Sequence, residues 1–179
     1  MAGSPPAAVT AGDMTLDQRL CLALYTASRA MTARYRVALA DLGLTYPQYL
    51  VMLMLWEDGP SSVGGIGQRL SLDSSTLSPL LKRLQATGLV TRTRAATDER
   101  LMIIGLTERG AALEQEAGQV VVELCEATGQ SPVELSEMVG ALRQLTQRLD
   151  ASTRLVIMKK GHSPGGDPGP ASQAATSTG

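Results

Sequence analysis

The 179-residue chain has no phenylalanine, one tryptophan, one histidine and two cysteines. A structural zinc site takes about four Cys or His ligands. His162 stands alone in the tail, and Cys21 and Cys125 lie far apart with no CxxC between them. A Ser-His-Asp or Cys-His pair would have to use that same histidine. Hydrolase and metalloenzyme chemistry is therefore set aside, with no catalytic residue, metal or cofactor expected. Long apolar runs are also missing. The longest clean one, Tyr49 to Trp56, falls well short of the ~18 residues of a membrane span, so no membrane partner is expected. Met1 to Asp13 has neither the basic start nor the apolar core of a secretory signal. A cytoplasmic protein follows as the expectation, with its thiols normally reduced. Nor is there an excess of charge: the formal net charge is -1, so any pull on nucleic acid has to come from a local patch.

What is present is helical punctuation. Residues 1-13 read as a disordered arm rich in Ala, Gly and Pro. Leu20, Leu24, Ala27, Met31 and Tyr35 then recur at helical spacing, and Gly43 ends that helix. Thr45 caps a second helix whose first turn holds Pro47 and whose body, Tyr49 to Trp56, is apolar nearly all round. Ser61 or Ser62 caps a short helix weakened by Gly64, Gly65 and Gly67. A stronger helix runs from Thr76 to about Thr87, with Leu77, Leu80, Leu81 and Leu84 on its apolar face. The period then changes to two in Leu89–Arg94 and again in Leu101–Leu106, two strands around a charged tip. Thr107 caps a long helix carrying Leu113, Val120, Val121 and Leu124, and Ser131-Pro132 opens a last one to about Leu149.

This order predicts a mainly α fold with a small β-hairpin, a winged helix-turn-helix occupying residues 14-150. Its DNA-reading part spans about 60-106, and 151-179 is expected to be a mostly disordered tail. The first and last helices, rich in Leu, Val and Ala, are the expected homodimer interface.

In a winged helix the second helix enters the major groove by its N-terminal end. Here that end is Asp73, Ser74, Ser75, Thr76, Ser78 and Pro79, followed by Lys82 and Arg83. Hydroxyls and helix-start amides suit phosphates and base edges. The wing adds Arg92, Arg94 and Arg100. Between Pro60 and Leu106 six Lys/Arg face three Asp/Glu, so the acidity lies elsewhere. Ordinary solvated charges would give the same count; helix order, hairpin and charge together point to double-stranded DNA. The glycines at 64, 65 and 67 lack the strand before and the Lys-Ser/Thr after that a phosphate loop needs.

All four tyrosines fall between Tyr25 and Tyr49. At about 100° per residue Tyr25 and Tyr35 flank Cys21 by roughly 40° on either side, sharing one helix face. Phenol hydroxyls can donate to a thiolate. On the residues alone, Cys21 reads at least as readily as a small buried apolar side chain, and the tyrosines as core aromatics.

Several stretches resemble a known family. They are Leu20-Cys21-Leu22-Ala23-Leu24-Tyr25, Leu44-Thr45-Tyr46-Pro47-Gln48-Tyr49, Leu72 to Leu84 and Asp98-Glu99-Arg100. From about Leu16 to Leu149 the chain resembles the MarR regulators, and among them the organic hydroperoxide resistance regulators (OhrR). The resemblance implies a homodimeric, non-enzymatic repressor that binds a roughly palindromic operator when reduced and leaves it when an organic hydroperoxide oxidises Cys21. It implies that the partner subunit's counterparts of Tyr35 and Tyr46 hydrogen-bond that thiol. Cys125 resembles the second cysteine of the two-cysteine type, in which oxidation links the two between subunits. Asp98 and Arg100 match the wing, the arginine reaching the minor groove. The chain departs from the pattern at Ser75, where glycine is usual, at Gly64-Gly65, and at Leu22, where an aromatic is frequent. A regulator released by a reversibly bound phenolic effector is the alternative.

Overall fold

The structure, a computed structural model, describes residues 15–95, 98 and 100–161. The arm at 1-13 and the tail beyond 161 lie outside the described residues. The chain divides into two units, one up to Gly129 and one from Gln130.

The first unit begins with a 3-10 turn, Leu16–Gln18, closed by a reciprocal Thr15/Gln18 cap, and continues into α1, Leu20–Ala38. None of the residues of α1 is buried. The predicted stripe is therefore only partly used: Leu24 and Tyr35 are half-covered, while Leu20, Ala27 and Met31 stay exposed. Gly43, at φ 64, makes the left-handed turn that leads to α2, Tyr46–Asp58. Thr45 and Gln48 cap α2 reciprocally, with Thr45 N donating to Gln48 Oε1 at 2.8 Å. As its all-round apolar sequence requires, α2 is the centre of the core, burying Tyr49, Val51, Met52, Met54 and Leu55.

Ser61–Ser62 form a two-residue strand, β1, before Ser62 caps α3, Val63–Leu70, by accepting from Gly65 N at 3.0 Å. Local periodicity does not reveal β1, because it exists only by pairing with a strand some forty residues on, Ser61 opposite Ile104 and Ser62 opposite Ile103. The glycines that weaken α3 have a packing reason at two positions: a Cβ on Gly67 would stand 2.9 Å from the Leu72 carbonyl oxygen, and one on Gly65 2.7 Å from Ser61 Oγ.

α4, Ser74–Ala86, buries Leu77, Leu80, Leu81 and Leu84, the face its spacing predicts. β2, Val90–Arg94, and β3, Met102–Leu106, pair antiparallel from Val90 opposite Leu106 to Arg94 opposite Met102. The sheet order is β1-β3-β2. α5, Glu108–Thr128, is capped by Thr107, whose side chain accepts from Gly110 N at 2.9 Å. Gly110 is where α5 meets the sheet: a Cβ there would overlap the Leu89 carbonyl oxygen. Its own carbonyl accepts from Trp56 Nε1 at 2.9 Å, tying α5 to α2.

The second unit is α6, Pro132–Gly161. Ser131 N donates to Glu134 Oε2 at 2.8 Å and Ser131 Oγ accepts from Glu134 N at 3.3 Å, closing its first turn. The helix passes well beyond the expected end near Leu149. Residues 150–160 contain neither Gly nor Pro, so nothing in them stops a helix before Gly161. Among the described residues no helix is long and apolar enough to cross a membrane.

Candidate functional site

The expected DNA-reading residues share one outward surface of α4. Ser74, Ser75, Thr76, Ser78, Pro79, Lys82 and Arg83 are all exposed, opposite the buried leucines. Asp73, exposed like them, also caps the helix. Its carboxylate accepts from Thr76 N at 2.8 Å, from Thr76 Oγ1 at 3.1 Å and from Ser75 Oγ, which makes it the N-cap of α4. Those bonds, the Ser75 hydroxyl's first, hold its carboxyl down at about 2. Pro79, sixth in α4, removes one backbone donor, and the helix continues through it to Ala86.

In the hairpin Arg94 and Arg100 are exposed. Asp98 shapes the tip, its Oδ1 accepting from Arg100 N at 2.9 Å. Arg92 is turned the other way: it lies half-buried opposite Ile104, and its Nε is enclosed without a hydrogen-bond partner. Alternation on β2 puts Val90 and Arg92 on one face and leaves Thr91 and Thr93 outside. The three arginines of the hairpin are thus not equivalent.

Both cysteines are free. Cys21 is exposed, in the first turn of α1, where no side chain caps the helix and the dipole is favourable to an anion. Tyr25 lies one turn on and is 58% exposed. The shared helix face does not bring Tyr35 to Cys21 within one chain. Fourteen residues separate them, about 21 Å along the axis. Tyr35 instead stacks on Tyr46, ring centroids 4.2 Å apart, and tilts against Tyr49 at 5.7 Å. Tyr49, which closes the Thr45-Tyr46-Pro47-Gln48-Tyr49 stretch, joins the same ring cluster from the core. Its hydroxyl is buried with no partner, and its ring meets Trp56 edge-on at 6.3 Å.

Burial pushes the Tyr35 phenol up to about 12, with Tyr46, Tyr49 and Cys125 adding to the shift. Burial raises Tyr46 and Tyr49 as well. All three phenols therefore keep their protons, as donors rather than anions, at neutral pH. Of the two thiols, Cys125 is the one near enough to bear on the Tyr35 phenol. Arg34 Nη2 pairs with Glu123 Oε2 at 3.1 Å, and Ala27, Met31, Leu124 and Ala127 line one cleft, so the last turns of α5 lie beside the middle of α1.

A family model described as transcriptional regulator SarA/Rot matches residues 34–117. The chain is 43% identical over 136 residues to the organic hydroperoxide resistance transcriptional regulator of Bacillus subtilis, covering 76% of this chain and 92% of that one. Among solved structures, AbfR of Staphylococcus epidermidis superposes with a TM-score of 0.66 at 36% identity, over 76% of this chain and 94% of its own. The same protein solved reduced and bound to DNA gives a TM-score of 0.63 at 35% identity, over 75% and 94%. In its disulfide form it gives 0.55 at 36% identity, over 73% and 92%. Sharing that identity with a regulator it nearly spans, and the helix and strand order of a winged helix, the chain belongs to the organic hydroperoxide resistance regulators of the MarR family.

Proposed function

We propose that the protein is a cytoplasmic, homodimeric repressor, not an enzyme, that holds operator DNA when reduced and lets it go when an organic hydroperoxide oxidises Cys21. The observation that carries this reading is an exposed thiol in the first turn of α1, in a chain whose α4 and wing present hydroxyls and arginines on a separate surface. In each half of a roughly two-fold operator, α4 lies in the major groove by its Ser74–Pro79 end, with Lys82 and Arg83 on phosphates. Arg94 and Arg100 follow the wing to the adjacent backbone and minor groove, while Asp73 and Asp98 act by shaping α4 and the wing tip.

The oxidation has two steps. The Cys21 thiolate attacks the terminal peroxide oxygen; the S–O bond forms, the O–O bond breaks, and the alkoxide leaves to take a proton from water. The thiol of Cys125 then attacks the sulfenic sulfur, forming a disulfide and releasing water. Cys125, in the last turns of α5, lies beside the middle of α1, away from Cys21 at its start. A disulfide needs Cα atoms within about 7 Å. The pair therefore forms between subunits, where the partner's tyrosine cluster also meets Cys21. Exposed Leu20 on α1, and Leu142 and Leu149 on α6, are apolar surface such a dimer covers.

Operator binding by the reduced protein, followed by one equivalent of cumene hydroperoxide, tests this in wild type and Cys21→Ser. Wild type alone is expected to release, and a thiol reductant to restore binding. Release of both, or of neither, overturns it. Release of both would favour the effector reading, for which one observation speaks. A cleft of about 530 Å³ between α2 and α5, lined by Tyr49, Leu53, Trp56 and Val121, has the unpartnered Tyr49 in its wall.

A further inference from the structure

The cleft between α2 and α5 is apolar inside and acidic at its rim. Leu53, Trp56, Ala117 and Val121 wall a hollow of about 530 Å³ together with Tyr49. The indole is fixed, its Nε1 donating to the Gly110 carbonyl at 2.9 Å and the Tyr49 ring meeting it edge-on. The charged residues of the lining are Glu57 and Glu114, both exposed and so standing at the rim. Glu114 has no ion pair among the described residues. Glu57 has Arg69 at 3.5 Å, but Asp58 shares that guanidinium at 3.3 Å. Three carboxylates against one guanidinium leave the rim negative. Gly118 keeps the hollow open, since a Cβ there would meet nothing within 4 Å.

We infer that this cleft binds an organic cation, an ammonium group carried on an aromatic or branched apolar body. The inference rests on the second reading above, of the cleft as an effector site, and names the class of effector; it does not depend on Cys21. A hollow of this size, with apolar walls and few polar groups, takes a small organic molecule. Covering the apolar body supplies affinity without selecting the sign of its charge. The selection comes from the rim and the ring. A half-buried indole held in one orientation presents a π face that attracts a cation and not an anion. Glu57 and Glu114 add attraction of the same sign, strengthened where the apolar wall displaces water. A ligand carrying a carboxylate or phenolate would meet those two carboxylates with no basic residue in the lining to offset them.

Trp56 is the one tryptophan of the chain, so its fluorescence reads occupancy of the cleft. The test titrates reduced, full-length protein with benzyltrimethylammonium and with phenylacetate, an anion of similar body, following fluorescence and heat. The ammonium is expected to quench Trp56 and to bind at least about tenfold more tightly than phenylacetate. Gly118→Leu puts a side chain into the hollow at a helical position where leucine is favourable, and should abolish binding without loss of stability. Glu114→Gln should weaken binding about threefold, the size of an exposed charge pair, and by less as salt is raised. Operator binding by the reduced variants serves as the control for folding. Phenylacetate binding as tightly as the ammonium, an ammonium that gives neither quenching nor heat, or binding that survives Gly118→Leu overturns the inference. Cys21→Ser should bind the ammonium as wild type does. A failed peroxide response therefore removes the thiol reading alone, and failed ammonium binding removes this one alone.

Discussion

α4 and α1 are both amphipathic, and the chain treats them in opposite ways. Every leucine on the apolar face of α4 is buried within the chain, and its first turn is closed by Asp73. α1 buries nothing completely and leaves Leu20 57% exposed beside Cys21. The apolar face of α4 is thus packed within a single chain, whereas α1 keeps apolar surface exposed. On the function proposed above, a sensor on α1 can alter the contact between subunits without unfolding α4. The difference teaches that the two tasks are separated by how much of their packing is internal.

The largest expected effect that bears on this contrast is at Leu84, which is fully buried. Leu84→Ala should lower the free energy of unfolding by about 2–5 kcal/mol at every protein concentration. In the dimer proposed above, which covers Leu20, Leu20→Ala should show a loss that grows as the protein is diluted. Denaturant titrations at two concentrations measure both. Equal, concentration-independent losses would erase the distinction. Next comes Gly110→Ala, where the new methyl meets the Leu89 carbonyl and α5 has to shift from the sheet. A cost of about 1–3 kcal/mol is expected. A neutral result would mean that the junction of α5 with the reading half is looser than its geometry.

The smallest effect is at the α4 cap. The Asp73 carboxyl titrates at about 2 in the folded chain against 3.8 when unperturbed, so folding favours its ionised form. The stabilisation is present in full above the unperturbed value and fades as pH falls through about 4 toward about 2. Thermal unfolding of wild type and Asp73→Ala should therefore differ at pH 6 and converge near pH 2. Asp73→Asn, which keeps an acceptor without the charge, should lose this pH dependence. A gap that persists at pH 2 would show that the charge is not what caps α4.

Caps and buried faces were legible in the sequence because each depends on residues a few positions apart. Thr45, Thr107 and Ser131 cap where expected, and the four leucines of α4 face the core as their spacing requires. What was illegible depends on distant partners or on length along an axis. β1 exists only by virtue of β3. Periodicity placed Cys21 and Tyr35 on one face yet is blind to the axial distance between them. The cap that Asp73 makes on α4 was not legible as such, because a cap and a DNA contact share the same end of a helix. Arg92 looked equivalent to Arg94, though burial opposite Ile104 turns it inward. The last turns of α6 carry on past Leu149 because no breaker precedes Gly161.

The two residue pairs of β1 with β3 have a mechanical consequence. Ser62 is at once the end of that strand and the cap of α3, so the wing is stitched to the turn from which the helix-turn-helix departs. At the other end Arg109 Nη1 donates to the Thr87 carbonyl at 2.9 Å and the Thr107 hydroxyl to the Gly88 carbonyl at 2.7 Å, pinning the exit of α4 to the start of α5. Fastened at both ends, the wing and α4 would be carried together by any tilt of α5, as one jaw rather than two independent fingers.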